Sequence, residues 1–228
     1  AGTVTVGEAA GTATLTLTVS AASERTITGR VARASGTAGA ADFGAAVDFT
    51  ILPGATTANV VVAVVNDALD EDDESATFDL TSVVNATPTG TGTITVTDND
   101  AEPTVTLNAV ASATEGDTAA VTLTLTPVSG RSVTVDVELS AGTALAGTDF
   151  DSDTIPVTFA AGQTVVVVDV ATVEDDLDED TEDFDVALVN AANATIGGAD
   201  TDTIDILDDD NAPALSIADL SVAEAAGT

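Results

Sequence analysis

The segment Thr12-Ala13-Thr14-Leu15-Thr16-Leu17-Thr18-Val19 sets an apolar side chain at every second position with a threonine between. That is the period of a strand with one buried and one wet face. The alternation, broken by clusters of Gly, Asn, Asp and Pro, predicts strands near residues 3–6, 12–19, 26–33, 46–51, 57–65, 76–84 and 92–97. A second set is predicted near residues 104–108, 118–126, 132–139, 154–159, 164–173, 183–189 and 202–207. Helical periodicity is nearly absent. Short strands at this spacing predict an all-β chain of tandem seven-stranded antiparallel β-sandwiches.

The two sets are copies of one another. The same spacing separates Glu8 from Asp42 and Glu115 from Asp149, and a run of acids follows in each copy, Asn66 to Glu74 and then Glu174 to Glu182. Each copy closes on a further acidic triplet, Asp98-Asn99-Asp100 or Asp208-Asp209-Asp210. The expected units are residues 1–101 and 102–212. Residues 213–228 are expected to be the first strand of a third repeat, because Val222 to Thr228 nearly copies Val6 to Thr12. The links Ala101-Glu102-Pro103 and Asn211-Ala212-Pro213 are short and stiffened by proline.

Strand parity then gathers the acids. In a seven-stranded antiparallel sandwich, the loops after the first, third and fifth strands and the end of the seventh share one pole, and the acids lie in those four places. The opposite pole carries Arg25 or Arg131, and Arg131 is expected to face the acidic end of the first unit. Like charges this close repel by ~1 to 4 kcal/mol per pair, so a cation is expected among them. The chain has 4 Lys plus Arg against 39 acids and no His. A hard, oxygen-preferring cation fits, and Ca²⁺, with six to eight oxygen ligands, is the leading candidate.

Composition narrows the alternatives. A net charge of −35 repels nucleic acid and anionic membrane surfaces. No apolar run approaches the length of a membrane span, so direct insertion is not expected. With no Cys, His, Lys or Tyr, the chain lacks the usual bases and nucleophiles, and no enzyme activity is expected. An EF-hand is not supported, since neither acidic run has the glycine or flanking helices of that loop. The sequons Asn85-Ala86-Thr87 and Asn193-Ala194-Thr195 fit either N-glycosylation or a turn.

The ordered set Glu8, Ala41-Asp42-Phe43, Asn66-Asp67-Ala68-Leu69-Asp70-Glu71-Asp72-Asp73-Glu74 and Asp98-Asn99-Asp100 resembles the Calx-β domain. The second unit matches more closely, through Glu115, Thr148-Asp149-Phe150, Asp175 to Phe184 and Asp208-Asp209-Asp210. The resemblance implies immunoglobulin-like sandwiches that bind several Ca²⁺ ions at the acidic pole, as in sodium-calcium exchangers, integrin β4 and large bacterial surface proteins. The ligands it implies in the first unit are Glu8, Asp42, Asp67, Glu71, Glu74, Asp98 and Asp100, with the carbonyl of Leu69. In the second they are Glu115, Asp149, Asp175, Glu179, Glu182, Asp208, Asp209 and Asp210, with the carbonyl of Leu177. Asn66 and Asn99 stand where the family pattern usually has Asp, so the first unit is expected to hold fewer ions or hold them more weakly.

These readings favour a calcium-binding structural repeat of a long extracellular or cell-surface protein, an adhesin stalk or filament stiffened by Ca²⁺ at its domain junctions. Its expected partners are neighbouring repeats of the same chain, with self-assembly into filaments and cell-cell or cell-surface contacts as further candidates. The alternatives are a regulatory Ca²⁺-sensor pair, as in the exchangers, and a ligand-binding adhesin domain.

Overall fold

Threonine-apolar alternation becomes strand wherever one face can be buried. In the computed structural model, which describes residues 2–108, 112–220 and 224, the first unit contains β1 (Thr3–Gly7), β2 (Thr12–Thr18), β3 (Ile27–Gly36), β4 (Val47–Ile51), β5 (Thr57–Ala63), β6 (Glu74–Val84) and β7 (Gly92–Thr97). The second contains β8 (Thr104–Asn108), β9 (Ala113–Thr114), β10 (Thr118–Thr126), β11 (Val133–Ala141), β12 (Ile155–Phe159), β13 (Val165–Ala171), β14 (Glu182–Ala192), β15 (Thr195–Ile196) and β16 (Thr201–Leu207). One 3₁₀ turn, Glu8–Ala10, is the helical element among the described residues.

Each unit is an immunoglobulin-like sandwich. The first packs the sheet β1-β7-β6-β3-β4 on the pair β2-β5; the second packs β12-β11-β14-β16-β9 on β13-β10-β8-β15. Pairing is antiparallel except where the start of a unit joins its end: β1 lies parallel to β7, β9 to β16, and β15 to β8. Alternation reports which face is buried and is silent on the partner, so it does not distinguish these parallel pairs. The second unit also divides its opening strand. β8 joins β10 in one sheet, and β9 joins β16 in the other.

The two cores are separate. Phe43 meets Phe78 edge-on at 5.1 Å in the first, and Phe150 stacks on Phe184 at 4.4 Å in the second. Backbone irregularities repeat between the units: positive φ occurs at Ser82 and Asn85 and again at Asn190 and Asn193. Asn85 Nδ2 donates to the carbonyl of Thr26 at 2.8 Å, and Asn193 Nδ2 to that of Ser132 at 2.9 Å. Both sequon asparagines thus serve turns, for which Asn tolerates the left-handed conformation.

Residues 211–220 leave the second unit without ladder partners, and Leu215, Ile217 and Leu220 are exposed. Apart from Glu224, the stretch Val222 to Thr228 expected to open a third repeat lies outside the described residues.

Candidate metal centre

Each acidic pole is assembled by backbone bonds that tie its loops together. The carbonyl of Asp42 accepts from Val65 N at 2.9 Å, and that of Asp149 from Val173 N at 2.9 Å, fastening the loop after the third strand beside the acidic run. Glu8 caps the run in the first unit: its Oε1 accepts from Asp67 N at 2.8 Å, and Glu115 Oε1 accepts from Asp175 N at 3.2 Å in the second. An Asx turn follows in each, with Asp67 Oδ1 accepting from Leu69 N at 2.9 Å and Asp175 Oδ1 from Leu177 N at 2.7 Å.

This scaffold brings the carboxylates into four groups whose ligand atoms lie within 4.8 Å of one another. They are Glu8, Asp98 and Asp100; Asp42, Glu71 and Glu74; Glu115, Asp175 and Asp210; and Asp149, Glu179 and Glu182. Each unit therefore holds two adjacent sets. Of the other residues named from the sequence, Asp67 lies close enough to raise the pKa of Glu8, Glu71 and Asp100, and Asp208 does the same to Glu115, Glu179 and Asp210. Leu69 is half-buried and Leu177 exposed, and Asp209 bears on Glu174 and Asp210.

The electrostatics are those of carboxylates crowded together. Burial, followed by the charges of Asp67 and Asp42, raises Glu71 to about 6. Burial and then a hydrogen bond from carboxyl to carboxylate with Asp149 raise Glu182 to about 7. Burial leads the upward shift at Glu8, Glu74, Asp100, Glu115, Glu179 and Asp210 as well. Three carboxylate oxygens, Asp98 Oδ1, Asp100 Oδ2 and Asp210 Oδ2, are buried with no hydrogen-bond partner. A buried acceptor without a donor is costly. Oxygen-only donors, unsatisfied lone pairs and mutual repulsion all fit a hard divalent cation.

Several members escape sequence reasoning. Glu174 is exposed, yet local desolvation and the charges of Asp209, Asp210 and its acidic neighbours raise its pKa, and its carboxylate lies against Gly116. Its only signal in the sequence is its place at the head of the acidic run. Asp73 Oδ1 accepts from Asp98 N at 3.2 Å. The two asparagines at family Asp positions bond backbone instead: Asn99 Oδ1 accepts from Ala9 N at 2.9 Å, and Asn66 Nδ2 donates to the carbonyl of Asp67 at 2.8 Å.

The first pole is covered by the second unit. Ser129, Gly130 and Arg131 of the second unit lie along Asp70, Glu71 and Asp72 of the first, joined by a parallel bridge between Asp70 and Ser129. Ser129 Oγ donates to Asp70, whose carbonyl also accepts from Gly130 N at 3.0 Å. Gly130 lets Glu71 come close, since a Cβ there would stand 2.6 Å from Glu71 Oε1 and displace that side chain. Arg131 pairs with Asp70 at 3.7 Å and Asp72 at 3.6 Å, and its Nη2 also donates to Asn193 Oδ1. The expected approach of Arg131 to the acidic end is thus present, through Asp70 and Asp72.

The Calx-beta domain model matches residues 1–102 and again 98–210. Solved structures similar to the chain include CBD12 from CALX1.2 (16% identity, 90% of this chain, 96% of that chain, TM-score 0.42). Others are the calcium binding domain CBD12 of CALX1.1 (15%, 89% and 96%, TM-score 0.41) and the apo-form Calx CBD1 domain (23%, 48% and 100%, TM-score 0.45). No curated protein matches the chain. The chain belongs to the Calx-beta domain family and carries two copies of the domain in tandem.

Proposed function

From that membership we propose that the chain is a tandem calcium-binding module in which ion occupancy at the first acidic pole sets the angle and stiffness between its two units. The observation that carries this reading is the continuity of site and junction. Glu71 belongs to the carboxylate group with Asp42 and Glu74 and also packs on Gly130, while its neighbours Asp70 and Asp72 hold Ser129 and Arg131. An ion drawn in by Glu71 acts directly on the contact with the next unit.

Glu8, Asp98, Asp100 and Asp67 would hold one ion in the first unit, and Asp42, Glu71 and Glu74 another, with the Leu69 carbonyl as a further ligand. Glu115, Asp175, Asp208, Asp209 and Asp210 would do so in the second unit, beside Asp149, Glu179 and Glu182 and the Leu177 carbonyl. Calcium would supply the positive charge that these oxygens lack. The protein's own part is to hold them close despite their repulsion.

The sequence alone ranks the extracellular stalk first. Family membership and the tandem pairing support a regulatory calcium sensor at least as well, so the sensor leads here. The stalk, with its cell-surface location and its third repeat over 213–228, is kept because Val222 to Thr228 nearly copies Val6 to Thr12. Calorimetric Ca²⁺ titration with small-angle scattering separates them. Micromolar half-saturation with a change of interdomain angle supports the sensor. Saturation only at about 0.1–1 mM, the range of extracellular modules, supports the stalk, and no heat and no change of shape would refute both.

A further inference from the structure

One basic side chain of the first unit stands where the second unit has a core residue. β3 and β11 run into the same loop sequence, Gly36-Thr37-Ala38 and Gly142-Thr143-Ala144, and Arg33 and Leu139 stand at the same distance before the two glycines. The ladders agree with that match. Val31 faces Leu80 and Arg33 faces Phe78 in the first unit, as Val137 faces Leu188 and Leu139 faces Val186 in the second. Val133, Val135, Val137 and Leu139 form the buried set of β11, whereas in β3 the buried Ile27 and Val31 are followed at the same period by Arg33, which is exposed. Both strands share one register shift, at Thr28/Arg30 and at Thr134/Asp136. β3 has a second, between Arg33 and Ser35, with no counterpart in the pairing of β11. A bulge re-aims the side chains beside it.

A guanidinium cannot stay in an apolar core, so that of Arg33 turns to the polar rim of the sandwich. Its Nε donates to the carbonyl of Ala38 at 2.8 Å and its Nη2 to that of Gly36 at 3.5 Å. This loop belongs to the scaffold of the acidic pole. Ala38 N donates to the carbonyl of Ser75 at 3.1 Å, next to Glu74, and Gly39 N donates to Asp42 Oδ2. Arg33 is thereby fastened to the loop that joins the segments bearing Asp42 and Glu74. Burial, then Asp42 and Asp72, raise the pKa of Glu74, and the charge of Arg33 opposes them. At Glu182 the charges of Asp149, Glu179 and Asp183 all act in one direction.

We propose that Arg33 is a fixed internal cation that competes with Ca²⁺ at the group of Asp42, Glu71 and Glu74, so that this group fills at a higher Ca²⁺ concentration than that of Asp149, Glu179 and Glu182. The inference rests on the calcium reading above. A positive charge held beside the carboxylates repels a divalent ion twice as strongly as a monovalent one. It also offsets part of the repulsion among the carboxylates in the metal-free protein, which reduces what an ion gains by binding. Arg131 is a different device. It comes from the second unit and pairs with Asp70 and Asp72, outside this group, whereas Arg33 is in place whatever the neighbour does. The two units then respond in succession, and the module changes over a wider range of Ca²⁺ than two equal sites would allow.

Two backbone amides report the two groups separately, since Gly39 N donates to Asp42 Oδ2 and Leu145 N to Asp149 Oδ2 at 2.6 Å. Both can be followed by NMR in one Ca²⁺ titration of the isotope-labelled chain, at about pH 8.5 so that protons do not compete. In the unmodified chain the Gly39 midpoint should lie above that of Leu145. Arg33→Gln and Arg33→Leu should each lower the Gly39 midpoint about threefold or more at low salt, leave that of Leu145 unchanged, and lose the difference as added salt screens the charge. Arg33→Lys, which keeps the charge, should stay near the unmodified midpoint. A purely structural role gives the opposite sign, because loss of the bonds to Ala38 and Gly36 would loosen the loop and raise the midpoint. With both amides responding to Ca²⁺, the proposal is overturned by a Gly39 midpoint at or below that of Leu145, by an unchanged or raised midpoint in the neutral variants, or by a lysine variant that behaves like them. Silence of both amides in the unmodified chain would overturn the calcium reading and this inference with it.

Discussion

The two units carry the same carboxylate geometry on differently finished bodies. In the second, β8 joins β10 in one sheet and β9 joins β16 in the other, over a core in which Phe150 stacks on Phe184. In the first, the pole is covered by Ser129, Gly130 and Arg131 of the second unit. The comparison separates two sources of order that a single domain would confound. Apolar closure comes from each unit's own core. Relief of carboxylate repulsion depends on what cation is supplied, whether Arg131 from the neighbour or an ion from solution.

Core substitutions should break the equivalence most sharply. Leu123→Ala empties a fully buried site of the second unit and should cost that unit about 2–5 kcal/mol, leaving the first unit's core intact. Urea unfolding with a probe in each unit checks this, and an equal loss in both units would mean that they unfold as one body. Calcium should come next. Each site that binds only the folded form adds about 2.7 kcal/mol at a hundredfold excess over Kd, or roughly 10–20 °C in melting for a domain of this size. Asp149→Asn should remove much of this gain from the second unit and leave the first unit's gain intact, as read by calorimetry in Ca²⁺ and in chelator.

Acidity sharpens the same contrast. Glu71 and Glu182 have folded pKa values raised to about 6 and about 7. The folded state therefore holds protons more tightly than the unfolded chain. That stability is fully present below the unfolded value near 4.5 and is lost as pH rises through the folded values. The metal-free protein should melt at progressively lower temperature between about pH 4.5 and 7, with the second unit's decline extending to the higher pH. Saturating Ca²⁺ should flatten or reverse the slope. The smallest effect expected is that of Arg131→Ala, about 1 kcal/mol or less for partly exposed ion pairs. Scattering in chelator should nevertheless show a looser pair, and Ca²⁺ should restore part of the stiffness.

Much of this was legible in the residues. Threonine alternation located the strands from β1 to β7 because each has one wet face. The carboxylate groups were legible because the acidic run occurs twice, in the same order relative to Glu8 and Glu115. Ser129 and Gly130 act through a hydroxyl, a backbone amide and a missing Cβ, none of which leaves a periodic signature. β9 and β15 are too short for alternation to register, and the parallel pairing of β1 with β7 joins residues from opposite ends of the unit.

The carboxyl-carboxylate pair of Glu182 and Asp149 also gives the site a chemical output. A group with a pKa of about 7 is half-protonated in neutral solution, and an arriving divalent ion must evict that hydrogen ion to use both oxygens. Loading the second unit should therefore acidify a weakly buffered solution, by a yield per ion that rises as the starting pH is lowered toward 6. A pH electrode could then follow filling of this pole without any label on the protein.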